Sequence, residues 1–132
     1  MVWTAIELIM VIVLPTLVFS SLYVFITCRY IYRHAFGAKW WMAFLLLSFA
    51  GIIFAVSAAF VWGYNPTDSL RVEGFPIPIA IFKLEGTQWT DFVSSMPIQI
   101  FTLFANIFAC VALALVPLTI ASRVASRRKR QP

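Results

Sequence analysis

The side chains in this sequence able to do chemistry are few and far apart. Glu7 is the one carboxylate inside an apolar run, and Gln99 and Asn106 are amides inside another. A carboxylate in hydrocarbon is costly unless it is paired or exchanges a proton, so its functional reading is the exchangeable group of a small proton-coupled transporter. Such a path requires Glu7, Gln99 and Asn106 to converge. The structural alternative for Glu7 is local. Thr4-Ala5-Ile6-Glu7 has the S/T-x-x-E spacing of a capping box, in which the glutamate reaches back to free N–H groups at a helix start. Gln99 and Asn106, seven positions apart, share a helix face with Thr102. In a bilayer such amides act as hydrogen-bond glue between helices or line a polar path.

His34 is the only histidine, with no second His, Cys or carboxylate close in sequence. Metal and haem sites need several converging ligands, so no metal and no cofactor is expected. Cys28 and Cys110 fall at different depths and read as small apolar fillers, although Cys28, beside Arg29, occupies a membrane-edge position open to acylation. Glycine-rich phosphate loops and nucleophile–base pairs are absent from the sequence, and the expectation is a protein that is not an enzyme.

The elements that must position these residues are membrane helices. The chain is 62% hydrophobic and 11% charged, against roughly 25% charged residues in soluble domains, and its mean hydropathy is +0.92. Residues 40–62 carry no charge and no proline and are closed at both ends by Trp40 and Trp62. As a helix this run is ~34 Å long, enough for the ~30 Å core of a bilayer. Comparable runs cover about 4–28, interrupted by Pro15, and 97–122, with Pro97 in the first turn, Ser94 or Ser95 as caps and Pro117 near the end. The fold class expected is an all-α integral membrane protein of three transmembrane helices, in a single domain over 1–132.

Charge distribution orients the spans. Arg29, Arg33 and Lys39 lie in the short connection 29–39, and Arg123, Arg127, Arg128, Lys129 and Arg130 in the tail 123–132. The long connection 63–96 holds Asp68, Glu73, Glu85 and Asp91 with only Arg71 and Lys83. Cations are retained on the cytoplasmic side, so the amino end and the 63–96 connection face outward, the carboxyl end inward, and the natural setting is the inner membrane of a prokaryote. The basic tail attracts anionic lipid headgroups; lipid, not nucleic acid, is the expected partner of its positive charge.

Small residues in the central span, Gly51, Ala55 and Ala59, recur every four positions, and the third span offers Ala105, Ala109 and Ala112. Small-xxx-small rows let helix backbones approach closely, so these two faces are expected to meet, or to pair between copies of the chain. The connection 63–96 is long for a loop without structure of its own. Its β-branched, alternating residues from Leu70 to Glu85 predict an extended ribbon, folded as a hairpin with the 70–73 arm. Pro76 and Pro78, two apart, remove donors along one edge, which predicts an edge strand or a polyproline-like ribbon. Phe75, Ile77, Ile79 and Ile81 then form an apolar row that lies on the protein's own helices or in the headgroup layer beside Trp62, Trp89 and Phe92, docks on a partner, or dips into the bilayer as a re-entrant loop.

These features predict a non-catalytic subunit, scaffold or assembly factor of a membrane complex, with a membrane-protein partner or a second copy bound at the outer loop through Phe75, Pro76, Ile77, Pro78, Ile79 and Ile81. The arrangement of three spans, outward amino end and basic inner tail is similar to that of three-span phage holins, which implies an oligomeric pore or small transporter as the alternative. The long outer connection departs from the compact loops of that class. A membrane enzyme acting on lipid or quinone has the least support.

Overall fold

A computed structural model describes the backbone of residues 2–93 and 96–128, and the side chains of these except residues 2–6, 8, 9, 92 and 93. Three helices, α1 (Val2–Arg33), α2 (Ala38–Val61) and α3 (Met96–Arg128), are each long and apolar enough to cross a membrane. Between α2 and α3 the chain forms four strands, β1 (Gly63–Thr67), β2 (Leu70–Glu73), β3 (Ala80–Glu85) and β4 (Gln88–Val93). They pair in chain order as one antiparallel meander.

The helices outrun the apolar segments that define them. Helix α1 continues through Arg29 to Arg33 and α3 through Arg123 and Arg127 to Arg128, so most of the basic residues stand on helical turns. At ~1.5 Å per residue α3 is ~50 Å long and must project beyond a ~30 Å hydrocarbon core. Ser94, Ser95, Lys129 and Arg130 lie outside the described residues.

Helix α3 is the centre of the bundle, packed against α2 on one side and α1 on the other, while α1 and α2 barely touch. Tyr23 and Thr27 meet Thr119, and Tyr30 meets Ser126, at a nearly constant sequence offset of 92–96. A constant offset means that α1 and α3 run parallel, with α2 antiparallel to both. The Thr119 hydroxyl donates to the Leu115 carbonyl, so its oxygen is left to accept from Tyr23 and Thr27. Burial of Ile31, Phe36, Val111, Leu115 and Leu118 closes the end of the bundle away from the sheet.

Gly51, Ala55 and Ala59 are buried, as the small-residue row predicts, and α2 does pack on α3. At Gly51 the surface met is different from the one expected. A Cβ added at Gly51 would stand 2.8 Å from Cα of Val111 and 3.1 Å from the Cys110 carbonyl oxygen, so glycine lets the backbones touch there. The alanines of α3 look toward α1 instead: Ala105 packs with Val13, and Ala109 and Ala112 line a crevice with Ser20 and Tyr23. Van der Waals association in a bilayer needs one small partner at each crossing, and a bare glycine on α2 leaves α3 free to spend its alanines elsewhere.

The sheet corrects the expected edge ribbon. Strand β3 is internal, paired with β2 from Glu73↔Ala80 to Leu70↔Lys83 and with β4 from Ile81↔Val93 to Glu85↔Gln88. Pro76 and Pro78 do not belong to it; they lie in the six-residue connection 74–79, where a missing N–H costs no ladder bond. The hairpin with the 70–73 arm is present as expected. Strand β1, an edge that carries Pro66, pairs only with β2 and shifts register between Tyr64 and Thr67.

Candidate functional site

The connection 74–79 leaves the sheet and packs between α1 and α3. Gly74, at φ +100, turns the chain out of β2, and a Cβ there would lie 2.9 Å from the Ile79 backbone N; both the conformation and the space require glycine. The Ile79 N–H donates to the Glu73 carbonyl and closes the base of the loop, and the Gly74 N–H donates to the Trp62 carbonyl, tying it to the end of α2. The Phe75 ring stacks on Trp62 with centroids 5.6 Å apart.

At the tip is Pro76-Ile77-Pro78. Between two prolines, Ile77 has the only N–H of the three residues. Asn106 of α3 takes it: Asn106 Oδ1 accepts from Ile77 N at 2.9 Å, and Asn106 Nδ2 donates to Ile77 O at 2.9 Å. The amide thus substitutes for a neighbouring strand. Asn106 is wholly buried, and the Ile77 side chain is buried with Val13 of α1 and Ala105 of α3. A buried irregular backbone is tolerated only when its polar groups are satisfied by surrounding protein, and here one side chain satisfies both.

Other expected groups do not join this arrangement. Glu7 is exposed on the face of α1 that carries Met10, Val11, Leu14 and Pro15, whereas Val13 is the residue turned toward α3. Helix α1 already runs at Val2, so Thr4 sits within the helix and not at the N-cap that a capping box requires. Gln99 is half-buried, and Thr102 is fully buried with its hydroxyl unpartnered among the described residues. Glu7, Gln99 and Asn106 therefore do not form one polar cluster: Asn106 has both amide ends engaged by Ile77, and Glu7 points elsewhere.

The apolar row of the loop is divided. Ile77 is buried, Ile79 and Ile81 are half-buried, and Phe75 remains 45% exposed. Of the destinations open to this row, the protein's own helices take Ile77. Among the described residues, aromatic side chains left uncovered on the sheet side include Trp62, Tyr64, Phe75 and Trp89. Tyr64 and Trp89 line a shallow depression with Val61, Gly63, Asn65 and Arg71. Trp89 stands on β4, a strand beyond the β-branched alternation of residues 70–85.

A polar pocket of ~290 Å³ lies at the opposite end, lined by Tyr30 and His34 of the α1 end and Arg123, Ser126 and Arg127 of α3. Cys28 and Cys110 are free thiols. Among the described residues no group of three or more His, Cys, Asp or Glu is close enough to hold a metal ion. No protein-family model, curated protein or solved structure matches the chain.

Proposed function

We propose that the protein is a non-catalytic subunit or assembly factor of a membrane complex, and that its sheet is the platform on which a partner membrane protein, or a second copy, docks. The carrying observation is the Asn106–Ile77 lock. It ties the connection between β2 and β3 to α3, while Tyr64 and Trp89 stay 46% and 41% exposed on the sheet. Amphipathic rings on a fixed support offer contact area with little ordering cost, the composition of interface cores. The contact surface moves accordingly from the Pro-Ile-Pro tip, which is engaged internally, to the aromatic side chains around it.

In this reading the sheet faces outward and the arginine-bearing helix ends face the cytoplasm of a prokaryotic cell. Charge asymmetry supports that threading: Arg29, Arg33, Arg123, Arg127 and Arg128 share one end of the bundle, and the carboxylates Glu73, Glu85 and Asp91 lie in the sheet at the other.

The test is photocrosslinking in native membranes from positions 64 and 89, with Phe19, 71% exposed on α1, as the lipid-facing control. The expected result is one discrete protein adduct from both sheet positions and lipid adducts from position 19. Lipid adducts alone from 64 and 89 would mean that these rings are headgroup anchors, and the docking role would be abandoned.

A further inference from the structure

We propose that the pocket between the ends of α1 and α3 binds the phosphoryl oxyanion of an anionic ligand, with Arg123 and Arg127 as cationic donors and Tyr30, His34 and Ser126 as its fixed wall. The wall is built by a chain of hydrogen bonds. Ser126 Oγ donates to the Arg123 carbonyl at 2.9 Å, so its lone pairs accept the Tyr30 hydroxyl proton at 2.6 Å. His34 Nδ1 lies 3.0 Å from the Tyr30 carbonyl oxygen, an acceptor only, so Nδ1 carries a proton and donates it. The Tyr30 and His34 rings lie against each other with centroids 4.1 Å apart. These contacts fix the Tyr30, His34 and Ser126 side chains and leave the guanidinium groups as donors without partners among the described residues.

Arg123 and Arg127 stand one helical turn apart on the same face, where like charges repel. Among the described residues neither has a hydrogen bond or ion pair through its side chain, and the single ion pair is Arg71–Glu73 in the sheet. The acidic residues are Glu7, Asp68, Glu73, Glu85 and Asp91, at the start of α1 or in the sheet, ~40 Å of α3 away from this pocket. The helix dipole favours cations in a last turn, which accounts for Arg127 and Arg128 but fades before Arg123. A phosphoryl group between the two forks would satisfy both, because guanidinium geometry matches two oxyanion oxygens at once. The same chemistry is presented by an anionic phospholipid headgroup at the membrane surface and by a free phosphate compound in solution.

The full chain in a zwitterionic detergent would be titrated separately with phosphatidylglycerol, with inorganic phosphate and with phosphatidylcholine, and adducts counted by native mass spectrometry. One saturable adduct is expected with the first or the second probe. Saturation by phosphatidylglycerol identifies a headgroup site, and saturation by phosphate identifies a soluble phosphoryl ligand. Arg123→Gln and Arg127→Gln should each weaken it ~10-fold or more, as loss of a charge-assisted hydrogen bond predicts, while Arg128→Gln, which removes the same charge outside the pocket, should change it less than ~3-fold. Arg123→Lys keeps the charge and should fall between, which preserves the test if a Gln variant does not fold. Equal losses in all three Gln variants, or equal binding of phosphatidylcholine, would reduce the pocket to diffuse surface charge and overturn the proposal, as would no saturable adduct with either anionic probe.

Discussion

Asn106, wholly buried in the third helix, closes both of its amide hydrogen bonds on the backbone of Ile77, twenty-nine positions earlier in the chain. Replacing it by leucine conserves much of its volume and leaves one N–H and one C=O buried without partners. At about 1–3 kcal/mol for each orphaned group, Asn106→Leu should lose roughly 2–6 kcal/mol in reversible unfolding from detergent. The same variant should become sensitive to limited proteolysis within residues 74–79. A variant as stable and as resistant as the parent would mean that the loop is held by something else.

Gly51 predicts a steric effect of a different origin. With Cα of Val111 only 2.8 Å from the position a Cβ would take, Gly51→Ala forces α2 away from α3 and should cost about 1–3 kcal/mol. Gly37, where an added Cβ meets nothing within 4 Å, is the matched control. Gly37→Ala should stay within about 1 kcal/mol of the parent at this N-cap position. The readout is the unfolding midpoint of each variant.

Thr119→Val removes the oxygen that accepts from both Tyr23 and Thr27 while keeping the side chain's shape. Interhelical polar contacts in membranes are worth ~0.6–2 kcal/mol, so a loss in that range is expected. Tyr23→Phe combined with Thr119→Val should cost less than the sum of the single changes, because they remove a shared bond. Strict additivity in the double-mutant cycle would show that the two residues are not coupled.

Threading is tested by reporters. Fusions in the exposed Gly86–Thr87 turn and after Pro132 should report opposite compartments, with the turn outside and the carboxyl end inside. Both in one compartment would remove the three-span arrangement itself.

Much of this molecule was legible as local pattern. Apolar runs long enough to cross a bilayer appear as α1, α2 and α3, because in lipid every backbone polar group must be satisfied within its own segment and a helix does so without reference to the rest of the chain. The hairpin of β2 with β3 was visible in β-branched alternation for the same reason. What could not be read was the destination of groups whose partners are remote. A buried amide must find a partner, but nothing in the sequence near Asn106 names Ile77. The prolines at 76 and 78 looked like the marks of an edge strand until the strand was seen to begin at Ala80 and to pair on both sides. Likewise the alanines of α3 advertise close approach to any helix, and only the packing assigns them to α1 and the loop tip. Helix length, apolarity and charge asymmetry are properties of single segments, and the sequence alone determined them. The choice among equally satisfying partners is a property of the assembled bundle, and the tertiary structure decided it.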